Sequence, residues 1–420
     1  MIKIINQDTL IPKRDDSISD KIENIAKDII KDVRARGDEA LFEYAQKFDG
    51  ARLETLVVSK IELEQAYNRL LSDYKDMLKR CINNISEFHS KQKDKGFIVE
   101  KDGILLGQKV TAIEKVGIYV PGGQAVYPST VLMNVIPAQI AGCSHISVVS
   151  PPRADGTIAD EILACCYMLN VNVVYKTGGA GAIAALAFGT ESIQPVYKIT
   201  GPGNAYVAAA KKQVFGTVGI DMIAGPSEIL VIADESADAK IVASDLLSQA
   251  EHDAMARCIL TTTSEKLAEE VSKELEIQMA YLPKENICRM SIDNNGLIII
   301  CDTLNKCFEI SNDLAPEHLE IMVQDAISYL PKIKNAGSIF LGRYTPEAIG
   351  DYYAGVNHTL PTNSTAKFSS ALSVETFVKK STFVSYTEEA LREAKDDVVL
   401  FAMSEGLDAH AKSVLSRVGD

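Results

Sequence analysis

At 420 residues, 46% hydrophobic and 24% charged, the chain has the composition of an ordinary globular protein with room for about two to four domains. A formal charge of −14 and a pI near 5.0 exclude the basic footprint that nucleic-acid phosphates require. No apolar run approaches the ~18–20 residues of a membrane helix, and "MIKIINQDTLIPKR" at the start lacks the apolar segment of a secretory leader. A soluble, cytoplasmic protein with no membrane or nucleic-acid partner is expected.

In chain order, residues from about Ser19 to Phe48 and the stretch "IELEQAYNRLLSDYKDMLKRCINNISEFHSKQ" place apolar residues at helical spacing. From Val116 the pattern alternates: "VGIYVP", "STVLMNVIPAQIAG", "HISVVSPP", "ADEILACCYMLN", "VNVVYKTGG", "AIAALAFGT", "VYKITGPG" and "NAYVAAAKKQVFG" read as strand and helix in turn. That is a doubly wound parallel sheet, with Gly and Pro where strands hand over to helices. A second alternation begins at "SEILVIAD" and runs through "DAKIVASDLLSQAEHDA", "CILTTT", "KLAEEVSKELEIQMAYL", "GLIIICDT", "LNKCFEISNDLA", "HLEIMV", "ISYLPKIKNAG" and "SIFLG". From about Ser373 the chain ends in a polar helical tail. The expected fold is α/β: two tandem, incomplete Rossmann-like, doubly wound parallel-sheet domains with an N-terminal helical segment and a C-terminal helical tail. The boundaries expected are an arm at 1–20, a first α/β domain at 21–115 plus 228–372, a second at 116–227, and the tail at 373–420.

The eight cysteines form no C-x-x-C pair and mostly sit in apolar settings such as "ILACCYML", so reduced, buried thiols are expected and a cysteine-based zinc cage is not. "GGAGAIAA" offers Gly179, Gly181 and Ala184 in the G-x-G-x-x-A spacing of a dinucleotide turn. The acid that normally follows at the tip of the next strand is missing from "VYKIT", so the match reads as a tight strand–helix turn. Of six histidines, His89 and His145 lie in unremarked helix and strand contexts. His252, His318, His358 and His410 lie among carboxylates, in "QAEHD", "APEHLE", "GDYYAGVNH" and "EGLDAH". In "QAEHD", Gln249 and His252 are i,i+3 and share a helix face. Spacing alone leaves them either half of a metal site or a polar patch. Glu317 and His318 follow Pro316 at a helix-to-strand break, where an acid beside an imidazole suits acid/base work. Glu405 and His410 stand about 140° apart on an ideal helix, so serving one site requires Glu405 to precede the helix start near Gly406.

Taken together, "VGIYVPGG", "YPSTVLMN", "ITGPGNAYV", "IDMIAGPSEILVIAD", "LLSQAEHD", "LAPEHLEI" and "AIGDYYAGVNHTLPT" resemble the histidinol dehydrogenase family, in order, from about residue 30 to residue 417. The resemblance implies a zinc- and NAD-dependent enzyme that oxidises L-histidinol to L-histidine, the last step of histidine biosynthesis. It does so in two hydride transfers through L-histidinaldehyde. Matched motif by motif, one zinc per subunit falls on Gln249, His252, Asp351 and His410, and the catalytic pair on Glu317 and His318. Substrate contacts fall on Ser227, Gln249, His252, His318, Asp351, Glu405 and His410, with His358 in support. The tail residues are expected from the partner chain of a homodimer. NAD contacts fall on Tyr119 and Asn204, and a third on Gly181, where the family's glutamine is replaced. Against this stand a related zinc/NAD dehydrogenase of another amino or sulfonated alcohol, a zinc hydrolase using Glu317, and a non-catalytic assembly protein. Retention of Glu405 and His410 argues against the first, the absence of H-E-x-x-H against the second, and the intact Glu317–His318 pair against the third.

Overall fold

The computed structural model describes residues 1–11, 18–122 and 126–419; Gly123 of "VGIYVPGG" and part of the N-terminal arm lie outside them. A short strand, β1 (Lys3–Asn6), comes first. Helices α1 (Asp20–Arg36), α2 (Asp38–Tyr44), α3 (Lys60–Arg69) and α4 (Ser72–Ser90) follow. Ser19 caps α1, with Asp20 and Glu23 in its first turn and Arg34 and Arg36 in its last, each complementing the helix dipole. Ser59 and Glu62 close a capping box on α3.

Strands β2 (Phe97–Lys101) and β3 (Ile104–Ala112) form a hairpin, and the first α/β unit then runs β4 (Lys115–Tyr119), α5 (Pro128–Ala141), β5 (His145–Ser150), α6 (Asp160–Met168), β6 (Val173–Lys176), α7 (Gly179–Phe188), β7 (Lys198–Thr200), α8 (Ala205–Val214) and β8 (Gly219–Ile220). The second unit runs β9 (Glu228–Ala233), α9 (Ala239–Ala250), β10 (Arg257–Thr262), α10 (Glu265–Met279), α11 (Glu285–Asn295), β11 (Leu297–Ile300), α12 (Leu304–Leu314), β12 (His318–Met322), β13 (Ser338–Leu341) and α13 (Glu347–Tyr352). Strand β14 (Val378–Tyr386) and helices α14 (Glu388–Ser404) and α15 (Asp408–Val418) complete the chain.

The smaller sheet has the order β6-β5-β4-β7-β8 and the larger β1-β11-β10-β9-β12-β13, with every pairing in both parallel. Helices cover both faces, which is why a strand such as "EILVIA" is buried at every residue. The expected α/β architecture with two doubly wound sheets is present.

Three features depart from expectation. The arm's β1 joins the edge of the larger sheet, pairing Lys3–Asn6 with Leu297–Ile300. Strand β14, at the start of the expected tail, pairs antiparallel along β3 in a separate sheet with β2. Most of its side chains are exposed, so its sequence carries no buried stripe to announce it. The helices of 21–115, expected to belong with 228–372, pack instead on the smaller sheet. Ala26, Ile30, Val33 and Leu41 share a core with Ile183, Leu186 and Val207. Leu63, Leu78 and Ile85 share one with Ile118, Met133 and Ile162. Each such Leu or Ile contributes about 1.5–3 kcal/mol by leaving water, and the apolar face of a helix does not say which sheet will supply the partner.

Candidate catalytic and metal site

Four elements converge at the amino-terminal edge of the larger sheet: the starts of β9 and β12, the end of α9, and α13. Parallel register sets His318 beside Ile229. The main chain of Glu228 therefore holds both members of the expected catalytic pair. Its N–H donates to Glu317 Oε2 at 2.8 Å, and its carbonyl lies 3.0 Å from His318 Nδ1. That carbonyl can only accept, so Nδ1 carries the proton and Nε2 is the basic nitrogen. Nε2 is buried without a hydrogen-bond partner, 3.7 Å from Asp351 Oδ1, too long for a hydrogen bond. Ser227 directly precedes β9, its carbonyl accepting the Arg257 N–H at 2.9 Å, so it belongs to the same edge.

The positions follow from chain geometry. Ala315 ends α12 in the left-handed conformation (φ 49°), turning the chain so that "PEH" enters β12 with Glu317 and His318 buried. His318 is the first residue of the strand, as the reading of "HLEIMV" as a strand expects. Helix α9 stops at Ala250. His252 lies in the following turn, and its N–H donates to Gln249 O at 3.2 Å, which keeps the two residues close.

Burial of so many ionisable groups sets the electrostatics. Burial pushes Glu317 up to about 8, with His318 pulling the other way, and pushes Glu347 up to about 7 against the same pull. For His318, burial opposes the charged ring, but Glu347, Glu317 and Asp351 outweigh it and hold the proton well above the usual imidazole range. Asp351 is disfavoured as an anion by burial, yet its pairing with His318, helped by His358 and His252, holds it below the usual carboxylate value. His252 and His358 are both lowered by burial, which favours the neutral form that ligates metals. His358 places Nδ1 3.1 Å from the Asp351 carbonyl, beside the site.

Donor atoms of His252, Glu347 and Asp351 all lie within 4.8 Å of one another. One imidazole and two carboxylates suit a divalent ion such as zinc, which wants about four ligands. Gln249 is buried beside them. With its amide turned so that donor meets acceptor, its nitrogen donates to the two oxygens of Glu347 at 2.7 and 3.1 Å. Glu347 was not anticipated from sequence, although it stands one helical turn before Asp351 in "PEAIGD". Of the other expected site residues, Glu405 caps the end of α14 and His410 lies in the first turn of α15, both exposed. Among the described residues, the groups found around His252, His318 and Asp351 come from this chain's sheet edge and do not include those two.

The expected cofactor residues lie on the smaller sheet, at its carboxyl edge, where strand order reverses between β4 and β7. Open α/β sheets bind ligands in that crevice. Tyr119 ends β4, and its buried hydroxyl accepts the Gly179 N–H at 3.1 Å, at the start of α7. Asn204 caps α8, accepting from Tyr206 and Val207 at 3.1 and 3.2 Å. Gly201, between β7 and α8, has φ +110°, and a Cβ there would lie 2.1 Å from the Tyr119 carbonyl oxygen, so only glycine lets this loop meet β4. The loop is pinned by the buried Lys211–Asp221 pair, with Asp221 accepting from Gly201 N and Lys211 donating to Gly201 O. Two helix N-termini and a close backbone approach fit a dinucleotide's phosphates. Gly181 is buried within α7, and a Cβ there would point at Leu41 (3.2 Å) and Tyr44 (3.5 Å). The missing side chain thus lets α7 pack closely on the N-terminal helices.

The histidinol dehydrogenase family profile matches residues 12–418. The chain belongs to the histidinol dehydrogenase family. It is 52% identical over 404 residues to the histidinol dehydrogenase of Listeria monocytogenes serotype 4b, covering 96% of this chain and 94% of that one. It is 50% identical over 422 residues to that of Halalkalibacterium halodurans, covering 100% of both. The crystal structure of histidinol dehydrogenase from Elizabethkingia anophelis superposes with a TM-score of 0.94 at 38% identity, covering 99% of this chain and 98% of that one. The chain is therefore an oxidoreductase, and the resemblance carried by its motifs extends to its whole length. Among the described residues no helix is long and apolar enough to cross a membrane.

Proposed function

We propose that the protein oxidises L-histidinol to L-histidine through L-histidinaldehyde, in two successive hydride transfers, as the last step of histidine biosynthesis in the cytoplasm. The observation that carries this is the buried Glu317–His318 pair held by the Glu228 backbone, facing a ready-made set of metal donors. His252 and Asp351 would hold zinc with Gln249 beside them, and Tyr119 and Asn204 would flank NAD, while Gly181 faces the N-terminal helices and offers the cofactor no side chain. Zinc supplies a positive charge and coordination sites that orient the nitrogen donors of the substrate, and NAD accepts the hydrides.

A divalent ion held by His252 and Asp351 would offset the carboxylates that keep the ring charged, leaving His318 Nε2, with Nδ1–H held on the Glu228 carbonyl, to take the alcohol proton. Glu317, deep in the same edge, takes a proton from the water that hydrates the aldehyde. His318 then assists again as the hydrate is oxidised. Glu405 and His410 would reach the site of a neighbouring subunit. Leu400, Phe401, Met403 and Leu407, all exposed along the same tail, give that association an apolar surface. The test is NADH formed per L-histidinol consumed, with zinc-loaded and chelator-stripped protein side by side. Two NADH per substrate, lost on stripping and restored by zinc, are expected; no NADH from loaded protein removes this substrate.

A further inference from the structure

Helix α5 carries a proline in its interior, Pro137, between the buried Ile136 and Ala138. Proline has no N–H, so the carbonyl four residues earlier, that of Met133, loses its helical donor. That carbonyl is not left bare, because Asn357 Nδ2 donates to it at 2.6 Å. Asn357 comes from the loop after α13, in the larger-sheet body, whereas α5 belongs to the core of the smaller sheet.

The same amide nitrogen lies 3.4 Å from Nε2 of His89, in the last turn of α4. The far side of the ring decides which nitrogen carries the proton. Nδ1 lies 2.7 Å from Gln92 Oε1, which also accepts the Val374 N–H at 3.1 Å. An amide oxygen can only accept, so Nδ1 holds the proton and Nε2 accepts from Asn357. Asn357 Oδ1 in turn accepts the Thr359 N–H at 2.9 Å. His89 and Asn357 are both buried, and burial disfavours a second proton on the imidazole. Two further contacts seat the loop on α4. Asn84 Nδ2 donates to the Tyr353 carbonyl at 2.8 Å, and Gly355 (φ +101°) comes so near that a Cβ would lie 2.5 Å from the Asn84 carbonyl oxygen. Next to Asn357 stands His358, whose Nδ1 lies 3.1 Å from the Asp351 carbonyl.

We propose that Asn357 is a positioning residue, seated between the carbonyl that Pro137 frees and the acceptor nitrogen of His89, that straps the loop carrying His358 onto α4 and α5 and so fixes the Asp351 side of the catalytic edge against the smaller-sheet body. Asn357 touches no reacting atom in this role. Pro137 opens the seat, and His89 holds the amide in it. The proposal rests on the histidinol reading above for its kinetic readout only.

Three variants test the strap. Asn357→Leu removes both bonds, so kcat/KM for L-histidinol should fall about 10–10²-fold, the scale of a misplacement of about 1 Å. The amides of residues 353–359 should exchange faster with deuterium, while NADH, which the reading above seats on the smaller sheet, should keep the parent's affinity when titrated by its fluorescence. His89→Gln puts an amide oxygen where Nε2 accepts and should stay close to the parent in all three readouts. Should Asn357→Leu not fold, Pro137→Ala serves instead. It returns a helical donor to Met133, displaces Asn357 without leaving that carbonyl bare, and should shift exchange and kcat/KM in the same direction. Parental exchange and kcat/KM in whichever of these two folds, or a His89→Gln protein as impaired as they are, would overturn the proposal. So would NADH affinity lost in step with turnover, the mark of a general structural defect. A parent that leaves L-histidinol untouched sinks the substrate reading alone, because the exchange comparison still judges the strap.

Discussion

Gly337→Ala tests whether the catalytic pair depends on how closely β12 and β13 approach at their amino ends. A Cβ at Gly337 would fall 2.5 Å from the Glu317 carbonyl oxygen and 3.2 Å from the Leu360 Cβ. Contacts under 3.0 Å essentially never occur and ordinary ones begin at 3.4 Å, so the Glu317 backbone must retreat by about 0.5–0.9 Å. That oxygen accepts the Ser338 N–H at 2.9 Å, and the neighbouring Pro316 carbonyl accepts Gly337 N–H at 2.9 Å. The retreat moves Glu317 and His318 together. Misplacement of catalytic groups by about 1 Å costs roughly 10²-fold, so kcat/KM should fall about 10²-fold, equivalent to ~2.7 kcal/mol of barrier. Overpacking should also cost about 1–3 kcal/mol of stability. Gly342→Ala is the control. It sits past the other end of β13 with φ +84° and meets nothing within 4 Å, so it carries only the left-handed penalty of about 1–2 kcal/mol. NADH formation from L-histidinol and thermal melting, measured on both, give the comparison. Both should melt lower, and only Gly337→Ala should lose activity. A Gly337→Ala enzyme with parental kcat/KM, or a control that loses as much, refutes the reasoning.

His318→Asn should lower kcat by about 10²–10⁴-fold, the span of lost acid/base catalysis; steady-state turnover near the parent's would take His318 out of the mechanism. His410→Ala should reduce zinc content after dialysis, although His410 is exposed within its own chain; unchanged content would mean that the tail is no ligand. Bonds from Arg36 and from Tyr44, each 2.6 Å at the closest, hold the Asp32 carboxyl down to about 2. A lowered carboxyl stabilises the fold above its ordinary value near 4 and loses that effect as pH falls towards 2. Asp32→Asn should therefore melt lower than the parent at pH 6 and converge with it near pH 2; a gap that persists unchanged in acid would assign the effect to packing.

Periodicity disclosed both parallel sheets because their strands are continuous apolar runs bounded by Gly and Pro, as in "EILVIA" and "KIT" before "GPGN". It did not disclose β14, whose exposed residues match no buried pattern, nor the sheet on which α1–α4 would settle. At the site, Glu317, His318 and His252 stood out because imidazoles are few and stand among acids, whereas Asp351 came only from the resemblance carried by "AIGDYYAGVNHTLPT". Glu347 did not stand out, since a buried carboxylate looks like a surface one until its neighbours are known. Gly181 was legible as a change but not in its meaning. Only the packing of Leu41 and Tyr44 above it shows that the absent side chain serves helix contact.

The proposed catalytic edge belongs to the larger sheet and the strand-reversal crevice to the smaller one, and Tyr127 feels the charge of Asp253 near the former. A four-electron oxidation on one substrate needs two dinucleotides in succession. On the proposed reaction, with the reactant anchored to one body and the electron carrier docked on another, spent carrier would leave and fresh carrier enter while a reactive aldehyde stays fastened. The division of labour between the two sheets would then amount to a turnstile for one ligand beside a vice for the other.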